Sequence, residues 1–147
     1  LSSYIKSQIA CGNILPSKGT VFISIDNDNK KFIIEIAQKL KELNFNLLAT
    51  KGTAEYLNSN NIKTKIVNKV KEGNPHVVDS LTNNEIQLVI NTTKTQSSIR
   101  DSYSIRRTSL MYNIPYYTTI AGAKVAVDAI EHMKTQKFTI KSLQTIN

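Results

Sequence analysis

The chain has 147 residues, of which 40% are apolar and 20% charged, so it is long enough for one domain with one core, too short for two, and too apolar to be disordered. No apolar run approaches the roughly 20 residues of a membrane span and no signal pattern opens the chain, so it reads as cytosolic, that is cytoplasmic, with no membrane partner. A single cysteine, Cys11, and two histidines, His76 and His132, exclude an internal disulfide framework and leave no basis for a metal site, while a net charge of +8 without any basic run longer than two residues favours a small anionic partner over nucleic acid.

In chain order, Leu1 to Pro16 is weakly amphipathic through Ile5 and Ile9 and ends in Gly12, Asn13 and Pro16. With Leu1 in place of a methionine, it reads as a section of a longer protein, residues 1–18 forming a linker and 19–147 the domain. Thr20 to Ile25 is β-branched and apolar, a strand, and Lys30 to Leu43 sets Ile33, Ile36, Ala37, Leu40 and Leu43 at helical spacing. The alternation repeats with a strand over 46–49, a helix over 53–60, a strand over 64–67, a short helix over 76–83 and a strand over 87–90. Ser98 and Asp101 form a Ser-x-x-Asp helix start, after which Ile99, Tyr103, Arg106 and Leu110 share one face. Ile114 to Tyr117 reads as a fifth strand, Val125 to Met133 as the last long helix, and Phe138 to Ile140 as an added edge strand.

Strands alternating with helices predict an α/β, doubly wound, mainly parallel five-stranded sheet with helices on both faces, because parallel neighbours need crossovers and those are helical. Ligands in such sheets sit beyond the carboxyl ends of the strands. The loops there read Asp26-Asn27-Asp28-Asn29-Lys30, Thr50-Lys51-Gly52-Thr53, Asn68 to Gly73, Asn91-Thr92-Thr93-Lys94 and Thr118-Thr119. Four of the five hold lysine, and lysines, threonine hydroxyls and helix N-terminal amides converging on one edge suit a phosphate-bearing anion.

Each motif alone has a plainer reading. Thr50 to Thr53 can be a tight turn with Gly52 at a special φ and a threonine N-cap, Asn91-Thr92-Thr93 ordinary turn chemistry, and Lys69 a solvated lysine. His76, after Pro75, reads as a local hydrogen-bonding residue at a helix start, and Arg106 and Arg107 as a solvated face. No Cys/His pair, Ser/His/Asp set or glycine-rich phosphate motif is present, so no catalytic residue is assigned. From residues alone the reading ends at a domain binding a small phosphorylated anion.

Taken together, Thr50-Lys51-Gly52-Thr53-Ala54, Val67-Asn68-Lys69-Val70-x-Glu72-Gly73-x-Pro75-His76, Ile90-Asn91-Thr92-Thr93 and Asp101-Ser102 through Ile105-Arg106-Arg107 resemble the C-terminal allosteric domain of the carbamoyl phosphate synthase large subunit, whose fold is that of methylglyoxal synthase. Tyr4-x-Lys6-x-Gln8 and Gly12-x-x-Leu15-Pro16 are similar to that family's linker. The resemblance implies a non-catalytic domain that binds regulatory nucleotides of the UMP and IMP type, within an ATP-dependent ligase that uses Mg or Mn and serves pyrimidine and arginine biosynthesis. It implies as partners the remainder of the large subunit, a glutaminase small subunit and the nucleotide effectors, and leaves a homo-oligomer open. Carried over by motif, Thr50, Thr53, Lys69, Asn91, Thr92 and Thr93 would line the nucleotide site, with Ser24 and Lys30 as first-loop contacts. Two departures stand out. Methylglyoxal synthase, the alternative as a lyase acting on a phosphorylated triose, carries Gly-Gly-Asp where this chain has Gly73-Asn74-Pro75, and an amide cannot serve as the base. Ornithine-responsive relatives carry Tyr-Asp-Thr-Thr where this chain has Tyr116-Tyr117-Thr118-Thr119, so Tyr117 and Thr118 mark the ornithine and interdomain positions.

Overall fold

The structure, a computed structural model, describes residues 15–69, 73, 75–92 and 96–146. Five strands, β1 (Thr20–Ser24), β2 (Asn46–Ala49), β3 (Lys65–Ile66), β4 (Leu88–Asn91) and β5 (Tyr116–Tyr117), form one sheet. All neighbours are parallel and the order is β3-β2-β1-β4-β5. The helices are α1 (Lys30–Glu42), α2 (Lys51–Ser59), α3 (Val77–Thr82), α4 (Gln96–Met111) and α5 (Ile120–Ile146), with a 3₁₀ turn at Asn27–Asn29 leading into α1. The chain winds outward from β1 to β3, crosses back over the sheet through α3, and continues from β4 to β5 on the other side of β1. The direction reverses between β1 and β4, where a doubly wound sheet opens a crevice.

Alternation within the central strands divides the core. Val21, Ile23, Leu47, Ala49, Leu88 and Ile90 face α1, α2 and α5, meeting Ile33, Ile36, Leu40, Leu57 and Ile130. Phe22 and Val89 face the other way, against Val77 and Leu81 of α3 and Ile105 of α4. Leu15, ahead of β1, is buried with the first of these groups.

Helices α1 to α4 end alike. Asn44, Asn61, Asn84 and Asn113 take left-handed φ of 69°, 64°, 60° and 56°. The next backbone N–H in each case reaches back to close the last turn: Phe45 to the carbonyl of Leu40, Ile62 to Leu57, Glu85 to Ser80 and Ile114 to Ser109, at 2.8–3.0 Å. These are Schellman ends, and Phe45, Ile62 and Ile114 then bury their side chains against the helix they follow.

Expectations for three elements are corrected. Helix α4 starts at Gln96, so Ser98 lies inside its first turns instead of capping it. Its inward face is Ile105 and Ser109, whose hydroxyl donates to the Ile105 carbonyl at 2.7 Å, while Tyr103, Arg106 and Leu110 point out. Sequence spacing favoured the larger apolar residues; the packed helix instead places a small, self-satisfied serine against its neighbours. The edge strand over 138–140 is absent, because the backbone there continues α5: nothing between Gly122 and Ile146 is a proline or glycine that would stop a helix. Helix α2 begins at Lys51, ahead of the expected Thr53, and Gly52 sits inside it without a positive φ.

Candidate functional site

The carboxyl ends of β1, β2 and β4 carry three polar side chains on one face of the sheet. Ser24 pairs in register with Asn91, and Thr50 follows Ala49, the partner of Ile23. Each therefore falls on the side of Phe22, away from α1 and α5. Ser24 Oγ and Thr50 Oγ1 lie 3.4 Å apart. Asn91, 2% exposed, donates through Nδ2 to Ser102 Oγ at 2.9 Å and Tyr116 Oη at 3.0 Å, which ties β4 to α4 and β5.

Two further threonines fasten the exit of β1. Thr53 Oγ1 accepts from the Ile25 N–H at 3.2 Å and faces the Ile25 carbonyl at 3.5 Å, and Thr92 Oγ1 accepts from the Asp26 N–H at 3.0 Å. The Thr92 N–H donates to the Ser24 carbonyl at 2.9 Å. Thr53 thus spends its hydroxyl on the strand, whereas the Thr92 hydroxyl keeps its proton for another acceptor. Asp26 closes the loop on itself, its carboxylate accepting from the Asn29 N–H at 3.1 Å and from Asn29 Nδ2 at 3.0 and 3.1 Å.

Thr50 is the N-cap of α2 but makes no side-chain cap bond, so the amides of Lys51, Gly52 and Thr53 stand outside the intrahelical ladder. Lys30, at the start of α1, reaches to this same end: a β-carbon on Gly52 would lie 3.4 Å from its Nζ. The Lys30 ammonium thus passes over Gly52 at ordinary contact distance, and the Gly52 backbone takes no positive φ. A cation at the positive end of a helix dipole is unfavourable by itself, and an anion between the two reverses the sign.

Lys69 is half-buried at the end of β3 beyond Asn68, whose carbonyl accepts from the Val77 N–H at 3.0 Å and whose Nδ2 donates to the Pro75 carbonyl at 3.0 Å. His76 does what its position implied: its Nδ1 accepts from the Val78 N–H at 3.2 Å while Asp79 accepts from the His76 N–H at 2.8 Å, a capping box for α3. Thr93 and Asn74 lie outside the described residues. Tyr117 is half-buried with its ring packed over the first turn of α5, 3.3 Å from where a β-carbon on Gly122 would sit, and Thr118 is exposed. Ser102 and Tyr116 were not singled out by sequence, although both lie in quoted motifs and both hold Asn91.

Burial pushes the Tyr116 phenol above its ordinary 10.0, against the opposing influence of the Asn91 bond, the Arg106 charge and the Ser102 bond. The fold therefore favours the neutral phenol, and this contribution to stability is complete below pH 10 and is lost as pH rises through the raised value. Tyr116→Phe is expected to cost about 1 kcal/mol at neutral pH, through the lost partner of Asn91, and to flatten the decline above pH 10. Urea melts between pH 7 and 11 measure both; an equally steep alkaline decline in the variant would reject the assignment. Among the described residues no group of His, Cys, Asp or Glu could hold a metal ion, and no helix is long and apolar enough to cross a membrane.

Residues 32–118 match the family model described as the MGS-like domain. The chain belongs to that family. The MGS-like domain is 46% identical over 143 residues to the carbamoyl phosphate synthase large chain of Myxococcus xanthus (strain DK1622), which covers 97% of this chain and 13% of that one. It is 45% identical over 147 residues to the C-terminal section of the carbamoyl phosphate synthase large chain of Methanopyrus kandleri, covering 99% of this chain and 27% of the relative. This MGS-like domain thus spans a minor part of each relative. Its fold is similar to the crystal structure of methylglyoxal synthase from Elizabethkingia anophelis NUHP1, with a TM-score of 0.59 at 18% identity over 77% of this chain and 79% of that one. The five-stranded parallel sheet is shared at a level of identity that speaks to fold alone.

Proposed function

We propose that this domain binds the phosphate of a nucleoside monophosphate, of the UMP or IMP type, and so regulates a larger carbamoyl phosphate synthase chain. The observation that carries this reading is the Lys30 ammonium held beside Gly52 at the uncapped start of α2, next to the Ser24 and Thr50 hydroxyls. A phosphate there would receive helix amides, hydroxyl donors and an ammonium together. Asn91, Thr92 and Lys69 stand on the same edge of the sheet, and the relatives named carbamoyl phosphate synthase large chain support the parent activity. That parent is an ATP-dependent ligase with Mg or Mn, acting in pyrimidine and arginine biosynthesis in the cytoplasm beside a glutaminase small subunit. This domain supplies no reacting group and acts by binding its effector more tightly in one state of the whole chain than in another.

Titration calorimetry with UMP, IMP and the matching nucleosides tests the reading. Binding of the monophosphates with a clear loss for the nucleosides is expected; equal affinity for both would refute the phosphate placement. Formation of methylglyoxal from dihydroxyacetone phosphate above a no-enzyme control would favour the lyase alternative.

A further expectation concerns ornithine. A cationic amine needs an acceptor, and Tyr117 offers a neutral phenol whose ring is already committed to packing over Gly122. Ornithine is expected to activate the full-length parent weakly or not at all, and Tyr117→Asp to restore only part of a response. Strong activation of the unmodified enzyme, read as carbamoyl phosphate formed with and without ornithine, would show that Thr118 and groups elsewhere suffice.

A further inference from the structure

Among its described side chains, helix α4 turns one large apolar residue inward and three outward. Toward the sheet it presents Ile105 and Ser109, both buried. Toward solvent it presents Tyr103 at 71% exposure, Leu110 at 59% and Met111 at 64%. Positions 103, 107, 110 and 111 are spaced i, i+4, i+7 and i+8, so Tyr103, Leu110 and Met111 form one stripe with Arg107 among them and Arg106 along its edge. Single exposed apolar residues are ordinary, but a stripe of large ones on the outer face of a surface helix marks a contact surface.

The charges say which kind of surface covers it. Arg106 and Arg107 are exposed, and the described side chains of α4, from Ser102 onward, include no acid. A second copy would bring the same guanidiniums against these two, on a chain whose net charge is already +8. A fitting partner has an apolar centre and a rim of carboxylates, since such rim charges set partner choice and orientation.

We infer that the outer face of α4 docks onto an acidic-rimmed apolar surface belonging to the remainder of the same large chain. This rests on the reading that the domain is one section of a longer synthase, and it gives that section a mechanical connection at a face distinct from the carboxyl edge of the sheet. Arg106 and Arg107 are then orienting residues at the rim, and Tyr103, Leu110 and Met111 fill the centre.

The experiment uses the full-length large chain with a photo-crosslinking phenylalanine analogue in place of Tyr103, and a control with the same analogue at exposed Ser17. Irradiation is expected to give a crosslink within one chain, mapped by mass spectrometry to an apolar segment flanked by Asp or Glu. Arg106→Glu together with Arg107→Glu should lower its yield roughly tenfold and remove its sensitivity to salt, with circular dichroism confirming an unchanged fold. A crosslink between two copies or to another protein, a yield no higher than that of the Ser17 control, or a yield unmoved by the charge reversals would overturn the inference. Nucleotide titration of the same crosslinking variant reports separately on the effector site, so failure there and failure here are distinguishable.

Discussion

Phe22→Ala is expected to destabilise the domain by about 3–5 kcal/mol, a large share of the 5–15 kcal/mol that holds a domain of this kind folded. Phe22 is fully buried in β1, and it belongs to the smaller of the two core groups among the described residues, seven buried residues that include Val77, Leu81, Val89 and Ile105. Val77 and Leu81 of α3 and Ile105 of α4 pack in that group, and a close-packed core collapses only partly into a vacated ring volume. Urea unfolding should show a lowered midpoint with an unchanged slope. Phe32→Ala supplies the contrast: Phe32 is 51% exposed on α1, and its removal should stay within roughly 0.5 kcal/mol. Similar losses for the two variants would mean that the second core is not the packed unit described.

Lys30→Ala should give changes of opposite sign in two measurements. Nucleoside monophosphate binding is expected to weaken by about 1.5–3 kcal/mol, or roughly 10- to 150-fold in Kd, the range for a hydrogen bond to a charged group. Without ligand, stability should hold or rise by a few tenths of a kcal/mol, because Lys30 sits at the start of α1 and beside the start of α2, both positive dipole ends. A purely structural lysine would lower stability and leave nucleosides and nucleotides equally affected. Calorimetric titration and thermal unfolding of the same preparations separate the two cases, and unchanged monophosphate affinity would sink the phosphate assignment at this lysine.

The fold was legible wherever hydrophobic period and length agreed. Helix α1 carries Ile33, Ile36, Ala37 and Leu40 on a clear stripe and starts and ends within a residue of expectation. Strands β3 and β5 are shorter than read, at two residues each, because each is an edge strand whose ladder with β2 or β4 extends over two residue pairs, and local β propensity does not set that extent. The inner face of α4 was misread because a buried serine that bonds its own helix looks polar in sequence. At the site, the topological rule pointed to Thr50 and Asn91 by placing strand ends on one edge, while Ser24 came from the family resemblance. It could not say which hydroxyls turn inward: Thr53 and Thr92 look like Thr50 in sequence, yet both bond the exit of β1. The approach of Lys30 to Gly52 joins two loops through a long side chain and leaves no periodic trace.

The four asparagines at the ends of α1 to α4 have a practical consequence for engineering. A left-handed backbone strains any residue with a β-carbon, and glycine carries none of that cost. Asn44, Asn61, Asn84 and Asn113 lie on the amino-terminal side of the sheet, away from the strand ends that hold the candidate site, so each can be exchanged without touching it. Each Asn→Gly change is expected to add a few tenths of a kcal/mol, and substitutions this far apart should add independently. A quadruple variant should therefore gain roughly 1–2 kcal/mol and several degrees in Tm while binding its ligand as before. The side of the molecule where helices stop is in this sense a reserve of robustness, left unspent by the sequence and open to design.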